Sequence, residues 1–145
     1  MIPKFTAAGL LPRGVHAATL EEVFERFGGN GRREQLLNGL VEALRLLRAA
    51  GCRRMYINGS FVTSKELPND IDVCWDINGV DIDALDPVFF EFDNGRAAQK
   101  ARFGAEFFPA QVPEGITGKA FLDFFQVDKQ TGEPKGIIEI ELDDG

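Results

Sequence analysis

The stretch Gly59-Ser60-Phe61-Val62-Thr63-Ser64-Lys65-Glu66-Leu67-Pro68-Asn69-Asp70-Ile71-Asp72-Val73 decides how this chain reads. An apolar run, Met55-Tyr56-Ile57, leads into it and reads as a strand ending in a Gly-Ser turn. Ten residues after Ser60, two aspartates stand at i and i+2, flanked by Ile71 and Val73. Successive strand side chains point to opposite faces, so Asp70 and Asp72 are expected together on one face and Ile71 and Val73 on the other. Two carboxylates held side by side repel unless a cation lies between them. Hard oxygens on a strand, beside a Gly-Ser turn that can approach a phosphate, suit Mg²⁺ (or Mn²⁺) and a nucleoside triphosphate. The plainer reading is a solvated strand edge, or an aspartate capping the turn after Pro68-Asn69.

Upstream, Thr19 and Glu22 have capping-box spacing ahead of Val23, Phe24 and Phe27, and Gly28-Gly29 stops that short helix. Asn30 caps a longer helix, about Gly31 to Ala50. Its Leu36, Leu37, Leu40, Val41, Leu44 and Leu47 recur at three- and four-residue intervals. That stripe is the face expected to pack on a sheet. Residues 1–18, with Pro3, Gly9, Pro12 and Gly14, read as an irregular N-terminal arm, and 19–145 as one domain. Downstream, strands are expected at about 54–58, 70–77 and 103–110, with an Asn78-Gly79 turn after the second. A helix is expected within 81–92, with Pro87 in its first turn, and a further helical turn or two over 96–102. Residues 121–127 and 136–142 read as a hairpin around 130–134, and Glu139 and Glu141 alternate with apolar neighbours as in a half-exposed edge strand. The sum is an α/β (α+β) fold with a mixed β-sheet and helices mainly on one face.

The chain of 145 residues has the length of one domain, and its apolar share is ordinary for a globular protein. No apolar run approaches membrane-spanning length, so the expectation is a cytoplasmic protein without a membrane partner. A net charge of −7 argues against strong DNA binding, although Arg32, Arg33, Arg45, Arg48, Arg53 and Arg54 gather in the first half. With His16 the only histidine, histidine-rich metal sites are excluded. Cys52 and Cys74 are too few and too widely spaced for a metal motif. Rossmann, Walker A and nucleophile-elbow patterns are missing. Arg32 and Arg33 are expected on the surface of a first helical turn, Lys65 and Lys135 in solvated loops, and Trp75 in the core. Glu106 lies in an apolar strand-like run, where an acid needs a partner.

Gly59, Ser60, Asp70 and Asp72, at this spacing, resemble the nucleotidyltransferase superfamily of the polymerase β type; Asn69 stands where that family often has serine. The wider pattern is similar to a small bacterial group of nucleotidyltransferase-like (minimal nucleotidyltransferase) proteins. It comprises the Gly9 to Gly14 arm, the Arg32 to Leu47 helix, Gly59 to Thr63 and Pro68 to Asp72. The resemblance implies that Gly59 and Ser60 hold a triphosphate and that Asp70, Asp72 and a third carboxylate bind two Mg²⁺ ions. Glu106 is the first choice for the third, where the family more often has aspartate; Asp123 and Asp128 are further options. Lys65 would add charge to the phosphate loop. The implied reaction moves a nucleoside monophosphate from a nucleoside triphosphate to an acceptor hydroxyl on a protein, an RNA end or a small molecule. The setting it suggests is a toxin–antitoxin or phage-defence module. Two alternatives stand beside it: a catalytically silent binding or regulatory module of the same fold, and, more remotely, a two-metal nuclease. No motif specifies the nucleotide or an oligomeric state.

Overall fold

A computed structural model describes residues 2–69 and 71–142. The arm is not wholly irregular: Gly14–Ala18 forms strand β1. Helix α1, Leu20–Phe27, opens with the expected capping box, in which Thr19 and Glu22 each accept the other's backbone N–H at 3.1 Å. Helix α2, Gly31–Ala49, is capped by Asn30, whose side-chain oxygen accepts from Arg33 N–H at 2.9 Å. Strand β2 is Arg54–Asn58, and a 3₁₀ turn, Ser60–Val62, follows it. Strand β3, Asp72–Trp75, is shorter than the reading of 70–77. The helix expected within 81–92 shrinks to a 3₁₀ turn, Pro87–Phe90, with the Asp86 side chain accepting from Val88 N–H. Helix α3, Asp93–Phe103, begins through three residues of left-handed backbone, Asn94, Gly95 and Arg96. Strand β4 is Glu106–Pro109, α4 is Phe121–Phe124 and β5 is Gly136–Glu141.

These strands make one mixed sheet in the order β1-β5-β2-β3-β4. The outer pairs, β1 with β5 and β3 with β4, are parallel, and the two inner pairs are antiparallel. The α+β mixed sheet expected from the sequence is therefore the fold. Its detail differs at the C-terminal end. Residues 121–124 are helical, because Phe121 and the capping Phe125, four apart, come to one side of the turn and both meet Phe108, at ring distances of 4.9 and 4.8 Å. The hairpin is replaced by a loop with one isolated bridge, Val127 to Pro134. Strand β5 lies inside the sheet, not at its edge. Its alternation reflects one apolar face and one carrying Glu139 and Glu141, each within 4.0 Å of the Arg54 guanidinium.

Strand alternation sorts the core. Met55, Ile57, Val73, Trp75, Phe107, Ile138 and Ile140 face the leucine stripe of α2, as the three- and four-residue spacing requires. On the other face Tyr56, Cys74, Phe108 and Ile137 are covered by the aromatics of α4 and Phe125. The larger helices thus sit on one side. Buried Gln99 ties α3 to the sheet, donating to Val88 O at 3.1 Å and accepting Phe107 N–H at 2.7 Å. No helix among the described residues is long and apolar enough to cross a membrane.

Helix α2 approaches the end of α3 through Gly39, where an added Cβ would lie 1.8 Å from the Phe103 carbonyl oxygen. Helix propensity alone would make Gly39→Ala stabilising by about 1 kcal/mol. Overlap with fixed backbone outweighs it, so Gly39→Ala is expected to destabilise by about 2 kcal/mol net, read as a lower Tm in thermal unfolding.

Candidate functional site

Gly59 closes β2 with φ 86° and ψ −171°, a region that side chains with a Cβ avoid. The turn needs glycine there, and the same lack of a side chain opens the backbone to a ligand. Beyond it, the loop from Phe61 to Asn69 has no ladder partner, so its carbonyls must find donors elsewhere. The start of α2 supplies them. Arg33 donates to Phe27 O at 3.2 Å, Phe61 O at 2.7 Å, Thr63 O at 3.0 Å and Lys65 O. Arg32 reaches Pro68 O and Asn69 O, each at 3.1 Å, and the Asn30 amide reaches Glu66 O at 2.8 Å. The surface position expected for Arg33 is therefore corrected: its side chain is buried, because a guanidinium with five donors and no acceptor matches a set of inward carbonyls.

The pinned loop brings Gly59, Ser60 and Lys65 to one cleft of about 490 Å³, which Asp72 also lines. Ala8 and Leu10 of the arm contribute to it, and Ser64 N–H donates to Gly9 O at 2.9 Å, which fixes the arm against the loop. The far wall is Phe124, Phe125 and the loop that follows them, including Asp128, Lys129 and Lys135. Lys135, read from the sequence as a solvated loop residue, is half-buried and faces this cleft.

Asp72 is buried at the start of β3. Across the sheet its register partners are Asn58 on β2 and Glu106 on β4, so three oxygen-bearing side chains form a row on one face. Glu106, the sequence's first choice for a third carboxylate, is thereby the register neighbour of Asp72. Its carboxylate, however, pairs with Lys100 Nζ at 2.9 Å and borders a second cleft, of about 510 Å³, with Asn69 and Arg32. Arg96 lies close by. Its Nε donates to Phe107 O at 3.2 Å and its guanidinium sits 3.9 Å from the centre of the Phe108 ring. Burial pushes the Arg96 pKa down, while the charges of Glu106 and Asp72 hold it up. Asp70 lies outside the described residues. Asp123 is exposed on α4, and it is Asp128 that lines the cleft.

The donor set fits a hard divalent cation in kind. Asp72 and Glu106 offer carboxylate oxygens, and the buried Asn58 Oδ1, next in the row, has no hydrogen-bond partner among the described residues. An orphaned acceptor of this kind accounts for itself when a cation or a donor completes it. Among the described residues no group of three or more His, Cys, Asp and Glu side chains is gathered tightly enough to be a metal centre. Both cysteines are buried, and burial pushes the Cys52 pKa up to about 11 and that of Cys74 higher still, which disfavours the reactive thiolate. Asn58, Arg96, Lys129 and Lys135 are the site residues that sequence reasoning missed. For Asn58 a signal existed: a polar side chain ending an apolar strand, directly before Gly-Ser.

The chain belongs to the family described as Family of unknown function (DUF6932), whose model matches residues 3–141 and so takes in the arm as well as the sheet. No curated protein and no solved structure matches it.

Removing the guanidinium leaves several buried carbonyls unsatisfied. Arg33→Ala is expected to cost about 3 kcal/mol in urea denaturation, and Arg33→Lys to recover only part of it, since an ammonium cannot span the same fork.

Proposed function

We propose that this protein is a Mg²⁺-dependent (or Mn²⁺-dependent) nucleotidyltransferase that moves a nucleoside monophosphate from a nucleoside triphosphate to an acceptor hydroxyl. The observation that carries the reading is one cleft lined by Gly59, Ser60, Lys65 and Asp72, with Glu106 beside Asp72 in register. The resemblance of Gly59, Ser60, Asp70 and Asp72 to the polymerase-β-type superfamily supports it from the sequence side.

In this reading the bare backbone of Gly59 admits a phosphate at close range, the Ser60 hydroxyl donates to a phosphate oxygen, and the Lys65 ammonium offsets its charge. The acceptor hydroxyl gives up its proton to solvent and its oxygen attacks the α-phosphorus; the bond from that phosphorus to the bridging oxygen breaks, and pyrophosphate leaves with the electron pair. Divalent ions held by Asp70, Asp72 and Glu106 would activate the attacking oxygen and neutralise the leaving pyrophosphate. Arg96 and Lys100 balance the charge of Asp72 and Glu106 when no such ion is bound. The resemblance extends the proposal to a cytoplasmic protein whose acceptor is another protein or an RNA, in a toxin–antitoxin or phage-defence setting.

A second reading is a catalytically inactive module of the same fold. What favours it is the pairing of Glu106 with Lys100 at 2.9 Å and the nearness of Arg96, which supply internally the positive charge that a metal would bring.

Thermal shift with ATP, GTP, CTP and UTP, with and without Mg²⁺, tests both. At a hundred times Kd a true ligand adds about 2.7 kcal/mol, or several degrees in Tm. Metal-dependent stabilisation together with pyrophosphate release, lost by at least about 100-fold in Asp72→Asn, is the expected outcome. Stabilisation without pyrophosphate release, across protein and RNA acceptors, would favour the inactive module; no stabilisation by any triphosphate would remove the first reading.

A further inference from the structure

We propose that α4 and the loop after it complete a nucleoside triphosphate site, with Lys129 and Lys135 on the phosphate tail and Phe124 under the base. This rests on the nucleotide reading above and adds the groups that would recognise both ends of the ligand.

Charge is the first argument. The chain carries a net −7, yet Lys65, Lys129 and Lys135 line one cleft, while Lys4, Lys100 and Lys119 lie elsewhere. An acidic protein that converges half its lysines on one concavity has built a local field for a polyanion. Among the described residues two acids share the walls, Asp72 and Asp128. Asp128 is engaged in shaping the loop: it accepts the Thr131 hydroxyl at 2.9 Å. That bond, with a smaller contribution from the Lys135 charge, holds its carboxyl below the usual range.

Preorganisation is the second. Residues 126–135 are an anchored turn, not a slack connection. Lys135 N–H donates to Gln126 O at 2.9 Å, Asp128 N–H to Glu133 O at 2.8 Å, and Gly132 N–H to Asp128 O at 2.8 Å. The two lysines therefore sit on a closed backbone frame that lines the same cleft as the Gly59-Ser60 turn, and little backbone ordering remains to oppose binding.

The aromatic wall is the third. Phe124 is half-buried on the cleft and packs edge-on against Phe125 at 5.2 Å; Phe125 is in turn held against Phe108 at 4.8 Å. A ring braced by buried rings is a rigid stacking platform, and stacking on such a ring tolerates any base. A simple anion has no use for this wall. A molecule with a phosphate tail and a flat heterocycle uses both, and about 490 Å³ lies within the range of cofactor-sized sites.

Isothermal titration of the full chain with ATP and with inorganic tripolyphosphate, each with Mg²⁺, separates the two ends. Lys129→Gln combined with Lys135→Gln is expected to weaken both ligands by about tenfold or more. Phe124→Ala is expected to weaken ATP about tenfold and leave tripolyphosphate unchanged, with Phe124→Tyr restoring ATP. Lys129 is exposed and Lys135 half-buried, so the lysine variants should keep the wild-type Tm, and Phe124→Tyr covers any folding loss in Phe124→Ala. Wild-type ATP affinity in both the lysine and the Phe124→Ala variants, or no ATP binding by the wild type, overturns the site. Pyrophosphate release keeps the two proposals apart. If it persists unchanged in these variants, the site assignment fails and the transfer reading stands. If ATP binds with the expected dependence but pyrophosphate is never released, the site stands and transfer fails.

Discussion

The buried guanidinium of Arg33 is the contact on which the cleft depends. A segment that leaves a sheet and turns back without ladder partners exposes a series of carbonyl oxygens, each costly to bury unpaired. Arg33 meets those of Phe61, Thr63 and Lys65 while also closing the C-terminal end of α1 through Phe27. Placing cations in the first turn of a helix runs against its dipole by some tenths of a kcal/mol, a small cost beside several charge-assisted hydrogen bonds. The helix is itself fixed by its leucine stripe. The position of Ser60 is thus set, through a few rigid links, by the packing of α2 on the sheet.

Local signals carried the first half of the chain. The Thr19–Glu22 box, Asn30 and the leucine spacing place α1 and α2 within a residue of where they form, and Met55-Tyr56-Ile57 is the middle of β2. Glu106 could be singled out because an acid among aromatics is expensive, but its register with Asp72 is set by the pairing of two strands distant in sequence. What stayed hidden depends on partners distant in sequence. Phe121–Phe124 has strand-like composition but is helical because Phe108, arriving from β4, accepts the rings of Phe121 and the capping Phe125, four residues apart. Strand β5 is interior only because Gly14–Ala18 comes to cover its other side. The role of Arg33 was invisible because helix periodicity says which residues face inward, not that a long cation can turn its head back under a loop.

The electrostatics of the sheet face that carries Asp72 and Glu106 are those of a divided molecule. Acids on β3 and β4 are balanced at home by Arg96 and Lys100, while the lysines of two loops face the neighbouring cleft. Arg96 is also a mechanical part. It spans from the left-handed start of α3 to the Phe107 carbonyl and stacks on Phe92 and Phe108, at 4.7 and 3.9 Å. A charge lodged among rings in this way keeps its position without full hydration, because the ring faces replace part of the lost water.

The same contacts have a consequence for the sheet as a whole. Strand β4 hydrogen-bonds to β3 on one side through Glu106 and Ala110 N–H, so the backbone of Phe107 and Pro109 points the other way. Gln99 takes the Phe107 N–H, Arg96 takes its carbonyl, and Pro109 has no N–H to offer. That margin is sealed against strand addition, the route by which exposed edges recruit other chains into aggregates. Any lengthening of the sheet by a foreign strand is confined to the β1 side.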